Sequence, residues 1–310
     1  MHFLLVGPGA LGCLLSSLIT KGMGQNDQLT ILDYNGIRAR HLNSQGIVYT
    51  LGEQQEIIPV KVVAEPGDLA FVDVVLLCVK SYDVTNSLDF CTSILTKDTL
   101  LLFLQNGISH LDMAEHLGKT TAAFATTTEG ATLLGPGYVR HAGSGSTYLG
   151  FLTPPEQHAA DLLQATQAVL SAGGLQTHYT DNILARLWAK LFVNVGINAL
   201  TAILDCTNGE LLGLAGIDTR MQAAIEEAVL LARAKNIPIM DDPYQSARMV
   251  CSKTAQNISS MLQDMRKKRR TEIEAINGAV AALGNKLGIA TPENALLCRQ
   301  IKKLEAEYVR

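Results

Sequence analysis

Short, continuously apolar runs alternate with amphipathic stretches through the first half of the chain, and then stop. The runs Phe3–Val6, Leu29–Leu32, Val74–Val79, Leu100–Leu104 and Thr121–Ala125 carry almost no polar interruption. Strands covered on both faces read this way, whereas half-exposed strands alternate, so the pattern predicts a parallel sheet flanked by helices. Helical periodicity follows at Ala10–Lys21, Tyr82–Leu95 and Ser109–Leu117. Residues Ala131–Phe151 differ: glycine-marked turns separate β-rich pieces, which predicts an antiparallel extension of the sheet.

From about Asp181 the strand signals vanish and helical patterns take over, at Asn182–Leu204, Asp218–Lys235, Pro243–Arg266, Thr271–Leu287 and Pro292–Tyr308. Asp181 and Asp218 read as N-caps, and Gly288 as a stop. The expected architecture is α/β, an N-terminal Rossmann-type domain over residues 1–180, followed by an all-α domain over 181–310. There is no internal repeat and no low-complexity linker, so the two are expected to pack directly with a cleft between them. The first of these helices contains LWAKLFVNVGINALTA, an apolar segment interrupted by Lys190, Asn194 and Asn198. These sit at i, i+4 and i+8, so they form one stripe, with Thr201 near its end. Buried amide and ammonium groups need partners. Such a stripe is therefore either an exposed face or the wall of a polar pocket.

Composition narrows the classes. The chain has 310 residues, of which 47% are hydrophobic and 17% charged, enough to bury two cores. A net charge of −4 gives no reason to expect a nucleic-acid partner. The one basic run, Lys267–Arg270, is flanked by Asp264 and Glu272 and reads as a solvated face. The six cysteines (Cys13, Cys78, Cys91, Cys206, Cys251, Cys298) form no CxxC pair and no metal-ligand spacing, which suits a reducing cytoplasm and predicts no metal. The apolar start lacks a basic leader region and is broken by Gly7-Pro8-Gly9, so strand–turn–helix describes it better than a signal peptide. No membrane span is expected, and the oligomeric state, monomer or homodimer, is left open.

Chemistry enters first at VGPGALG. Gly7, Gly9 and Gly12 have GxGxxG spacing between a strand and a helix, the arrangement that binds a dinucleotide pyrophosphate. Pro8, Ala10 and Leu11 complete the turn and the start of the helix, whose free N–H groups face the phosphates. Asp33 lies 21 residues after Gly12, at the end of the second strand, where a carboxylate accepts from the adenosine ribose. Taken alone it favours NAD over NADP, although Arg38 and Arg40 nearby could reverse this, and Asp33 could instead cap a helix over Asn35–Asn43. Lys80 and Asn106 follow candidate strands and are placed to reach cofactor or substrate. Further on, Asn257 and Ser260 are spaced i, i+3. Ser260 and Glu272 are twelve residues apart, which a straight helix would put on different faces, so a shared pocket requires a break between them. Glu272 otherwise reads as a surface carboxylate at a helix start.

Together these blocks (GPGALG, VKSYD, LQNG, AKLFVNVGINALTAILDCTNGEL, NISSMLQDM, TEIEAING and TPENALL) resemble the ketopantoate reductase (2-dehydropantoate 2-reductase) family over nearly the whole chain. The resemblance implies a Rossmann domain joined to a helical domain like that of 6-phosphogluconate dehydrogenase. It also implies reduction of 2-dehydropantoate to (R)-pantoate with NADPH, on the route to pantothenate. By motif, Lys190 corresponds to the catalytic lysine and Glu272 to its acidic companion, which also approaches the cofactor. Asn106, Asn194, Asn198, Asn208, Asn257 and Ser260 fall in or beside the substrate site, with Asn106 also near the cofactor. Lys80 matches a lysine that helps hold NADPH. Asp33 departs from the pattern, since NADPH-using members commonly carry arginine there. The same residues leave two rival readings: a related 2-oxo acid or hydroxy acid dehydrogenase, and a non-catalytic NAD(P)-sensing protein.

Overall fold

The computed structural model describes residues 1–69 and 71–309. The chain folds into two compact units. The first comprises Met1–Gln105 and Asp112–Ile183; the second comprises Asn106–Leu111 and Leu184–Arg310.

The first unit is built on an eight-stranded sheet. Its strands are β1 (His2–Val6), β2 (Gln28–Leu32), β5 (Lys61–Val63), β6 (Val74–Leu77), β7 (Leu100–Phe103), β8 (Thr121–Thr127), β11 (Thr147–Gly150) and β12 (Thr177–Tyr179). The order is β12-β11-β8-β7-β6-β1-β2-β5, and β5 through β8 are all parallel. This is the doubly wound 3-2-1-4-5-6 arrangement, whose order reverses beside the carboxyl end of β1. All four residues of β6 and of β7 are buried, as their unbroken apolar sequences require.

A second sheet differs from the expected extension. Strands β3 (Ile47–Leu51), β4 (Gln54–Ile58), β9 (Gly130–Gly135) and β10 (Tyr138–Gly143) form a separate sheet of order β4-β3-β10-β9. Of the predicted extension, β11 alone joins the main sheet, antiparallel on β8, and β12 runs parallel beside it. Helix α1 (Ala10–Gly22) packs against strands of both sheets and against helix α4 (Gln157–Ala172), which is why Gly12 to Ile19 are buried without interruption. Helix α2 spans Gly36–Gln45, and helix α3 (Val84–Cys91) is shorter than the Tyr82–Leu95 periodicity predicted. Residues Leu111–His116 form 3-10 turns rather than the expected α-helix.

The second unit is helical: α5 (Ile183–Leu204), α6 (Asn208–Leu211), α7 (Ile217–Ala234), α8 (Pro243–Lys253), α9 (Ser260–Arg266), α10 (Asn277–Leu287) and α11 (Pro292–Glu305). Helix α5 is long and apolar enough to cross a membrane, yet most of it is buried in the core formed by Trp188, Leu191, Val195, Leu200, Met221 and Ile225. Gly196 lets α7 approach closely, since a Cβ there would lie 2.7 Å from Ile225 Cδ1. Three expectations need correction. Helix α7 is capped by Gly216 in the left-handed region, not by Asp218, which instead pairs with Arg248. The stretch predicted as one helix over Pro243–Arg266 is two, because the carbonyls of Ala255 and Asn257 turn outward to accept from Gly209 and Asn208 of α6. The segment after Thr271 begins as turns. The Thr271 N–H donates to the Glu305 carboxylate and the Thr271 hydroxyl accepts from Ile273, so α10 starts only at Asn277. Gly288 does end α10, at φ 68°.

Candidate active site

Two sites can be built from the residues upward, one in each unit. In the first unit, the β1–α1 turn contains three glycines with distinct roles. Gly7 has φ +93°, and a Cβ on it would meet Val79 Cγ1 at 2.6 Å. A Cβ on Gly12 would lie 2.1 Å from the Gly7 carbonyl oxygen. Both are therefore demanded by the chain's own packing. Gly9 is not: nothing of the protein lies within 4 Å of its virtual Cβ. Gly9 is also the N-cap of α1 and offers no side-chain cap. The first turn of the helix, Ala10–Leu11–Gly12, thus keeps unsatisfied N–H groups next to open space, as an incoming phosphate needs. A dinucleotide fits this cradle.

Asp33 lies just beyond β2 and is wholly buried. It does not cap α2, whose N-cap is Asn35. Arg38 instead reaches back from the first turn of α2 and forks onto Asp33, Nε to Oδ2 at 2.5 Å and Nη2 to Oδ1 at 2.7 Å. The Asn35 N–H donates to Oδ1 at 3.0 Å. Lys80, half-buried, follows β6 at the start of a 3-10 turn. Gln105 ties the end of β7 to that strand by donating to the carbonyls of Leu77 and Val79.

The second unit assembles the other predicted group. Asn106 Nδ2 donates to Glu272 Oε2 at 3.0 Å, although 166 residues separate them. The segment that carries Asn106 is clamped against the Glu272–Ile276 turns. The Ile108 N–H donates to Ala275 O, and Gly107, at φ +79°, leaves no room for a Cβ, which would lie 1.9 Å from that same oxygen. Glu272 is 6% exposed, so it is a buried group in a turn rather than a surface carboxylate at a helix start. Its charge acts on Lys190 of α5 and on His110. Burial lowers the Lys190 pKa to about 8, against the opposing pull of Glu272. Burial likewise lowers His110 to about 4, so its imidazole is neutral at pH 7. The sequence singled out Asn106 but not His110; the available signal was its position four residues on, in the same segment after β7.

The polar stripe of α5 divides in two. Lys190 and Asn194 are half-buried, and Asn198 is nearly enclosed. Thr201 is fully enclosed, its hydroxyl 2.8 Å from that of Ser259, the N-cap of α9. The Thr201 end thus serves helix packing, and the Lys190 end remains open to chemistry. Asn257 and Ser260 do not share a helix face, because α9 begins at Ser260; both are exposed. Asn208 is committed locally: its side chain donates to Thr254 Oγ1 at 2.8 Å and its N–H to Asn257 O.

An ammonium of lowered pKa beside a buried carboxylate and an amide is equipped to donate a proton to an oxygen that gains negative charge. A family model described as ketopantoate reductase PanE/ApbA matches residues 3–154, and its C-terminal counterpart matches 182–305. A 2-dehydropantoate 2-reductase of Halobacterium salinarum is 34% identical over 296 residues, 94% of this chain and 95% of that protein. That of Pyrococcus horikoshii is 29% identical over 99% of this chain and 98% of its own length. Among solved structures, a PanE/ApbA family ketopantoate reductase from Ralstonia eutropha JMP134 superposes with a TM-score of 0.90 at 28% identity, covering all of both chains. A D-mandelate dehydrogenase in a ternary structure with NADH and anilino(oxo)acetate gives 0.90 at 26%, covering 99% of each. The separable glycine roles, the Lys190–Glu272–Asn106 grouping and these likenesses over full length lead to one assignment: the chain belongs to the ketopantoate reductase family.

Proposed function

We propose that this protein reduces 2-dehydropantoate to (R)-pantoate with hydride from NAD(P)H, as a cytoplasmic enzyme of pantothenate biosynthesis. Residues 1–180 act as the dinucleotide-binding domain and 181–310 as the substrate domain. The observation that carries this reading is the convergence of Lys190, Glu272 and Asn106 in one unit from three distant parts of the sequence.

The cofactor, when bound, supplies a hydride to C2 of the 2-oxo acid. The rest falls to the chain. As the ketone carbon is reduced, negative charge grows on its oxygen, and the Lys190 ammonium stabilises that charge and transfers its proton there. The C=O π bond is broken, C–H and O–H bonds form, and Lys190 is left neutral to be reprotonated from solvent. Glu272, fixed by Asn106, holds the ammonium in place and accepts from the substrate hydroxyl. Asn194, Asn198, Asn257 and Ser260 supply neutral donors for the substrate carboxylate and terminal hydroxyl, while Lys80 and Asn106 contact the cofactor. Asn208 contributes by holding the turn that presents Asn257.

Glu272→Ala is expected to lower kcat and raise KM together, with kcat/KM down by about 10- to 100-fold, the scale of a lost charge-assisted hydrogen bond. Native kinetic constants in a folded variant would return Glu272 to a structural role. The likeness to D-mandelate dehydrogenase favours a second reading, a reductase of another 2-oxo acid. Steady-state kinetics with ketopantoate, ketoisovalerate, oxaloacetate and phenylglyoxylate separates the two. The highest kcat/KM is expected with ketopantoate, and a preference for phenylglyoxylate would replace the substrate assignment.

A further inference from the structure

We propose that Asp33 does not act as an NAD-selecting carboxylate in this chain but as the anchor of Arg38, whose guanidinium recognises the 2′-phosphate of NADPH. The inference rests on the reading of the β1–α1 turn as a dinucleotide site and deepens it.

Lone pairs and donors decide the matter. An ionised carboxylate offers about four acceptor positions. On Asp33, Oδ1 already accepts from Arg38 Nη2 and from the Asn35 N–H, and Oδ2 accepts from Arg38 Nε. One position is left. A ribose whose two hydroxyls are gripped together by an acidic residue needs two, so NADH gains at most one hydrogen bond here without breaking the ion pair. The guanidinium shows the opposite balance. Of its five N–H donors two are spent on Asp33, which leaves three, and its side chain is one-third exposed. A phosphate dianion is an acceptor for just such a planar fork.

Geometry fixes where those donors are presented. Asp33 is wholly buried at the carboxyl end of β2, its N–H bonded to Val63 O in β5. Arg38 is held at its backbone too, since Asn35 Oδ1 accepts from the Arg38 N–H at 3.0 Å. The guanidinium therefore stands preorganised beyond the strand that follows the glycine turn, where the adenosine ribose of a bound dinucleotide sits in this fold. Arg40, exposed and near Gly36, adds a second positive charge on the same turn. Tyr34, 67% exposed between Asp33 and Asn35, offers an aromatic face for the adenine. The single negative charge of Asp33 is neutralised by its partner, so the repulsion that a lone carboxylate would exert on a 2′-phosphate is largely cancelled.

The test is direct binding, read by NAD(P)H fluorescence or calorimetry on the whole protein without substrate. Wild type is expected to bind NADPH more tightly than NADH. Arg38→Gln is expected to weaken NADPH by about 10- to 100-fold, the size of a lost bidentate charged contact, while NADH changes less than about threefold. Because Arg38→Gln leaves a buried carboxylate without its cation, the double variant Asp33→Asn/Arg38→Gln restores neutrality and should show the same loss of NADPH preference. Arg38→Lys keeps the charge but not the fork and should fall between. An NADPH-to-NADH affinity ratio that stays within twofold of wild type in the folded double variant would overturn the role of Arg38. Wild type binding neither nucleotide would instead overturn the dinucleotide reading itself, and wild type preferring NADH would reinstate Asp33 as an NAD-selecting group.

Discussion

Replacing Lys190 with alanine is expected to lower kcat for 2-oxo acid reduction by on the order of 10²-fold or more, the scale of a lost general acid. The fold should survive. Lys190 is a half-buried cation whose pKa burial has lowered to about 8, so the folded state disfavours its charge. The sign of the linkage follows from that shift. Between about 8 and the ordinary lysine value of 10.5 the unfolded chain binds more protons, so this group costs stability at neutral pH and the cost fades as pH rises through that window. Removing the ammonium therefore leaves Tm unchanged or higher while activity collapses, and Lys190→Met, which keeps the apolar stem, separates the two effects most cleanly. A lowered Tm with intact turnover per folded molecule would mark Lys190 as structural.

The second large effect concerns the glycine turn. Gly9→Val is expected to weaken dinucleotide binding by about 100-fold or more while leaving the fold intact. A Cβ at Gly9 has no protein atom within 4 Å, and a branched side chain there would fill the space in front of the α1 N–H groups. Its cost to stability is limited to the poorer N-cap, about 1 kcal/mol. Gly12→Ala should do the reverse of this separation and destabilise the domain itself, because its Cβ would be driven against the Gly7 carbonyl at 2.1 Å, backbone that cannot yield cheaply. Thermal melts and nucleotide titrations on the two variants distinguish these outcomes. Tight cofactor binding by Gly9→Val would mean that the pyrophosphate does not lie over this turn.

What the sequence made legible follows the physics of each element. Strands β1, β2, β6, β7 and β8 are buried on both faces, so they appear as unbroken apolar runs and were placed to within a few residues. Strand β4 has four exposed residues out of five in Gln54–Ile58 and carries no such mark, so the second sheet stayed hidden and its partners β9 and β10 were read as part of the main one. The breaks that shape the second unit were illegible for another reason. Residues 254–259 and 271–276 have sequences compatible with helix, and both are unwound by distant partners: Asn208 and Gly209 in the first case, Glu305 in the second. Local propensity yields to tertiary hydrogen bonds there. The chain does break between Ser260 and Glu272, after Arg266. Lys190, Asn194 and Asn198 could be paired by helical spacing alone. Glu272 and Asn106 could not, because their hydrogen bond spans 166 residues. His110 escaped because a single histidine, here between Ser109 and Leu111, carries no signal until its spatial neighbours are known.

The most direct test of the central claim, that the Lys190 ammonium protonates the nascent alkoxide under the influence of Glu272, is the pH dependence of kcat/KM for ketopantoate reduction. The rate should hold at neutral pH and fall as pH rises through about 8, where Lys190 loses its proton, more than two units below an ordinary lysine. In Glu272→Gln the carboxylate that favours the charged ammonium is gone, so the alkaline limb should move to lower pH. A profile that stays level to pH 10 in the wild type, or a limb that does not move in Glu272→Gln, would contradict the account.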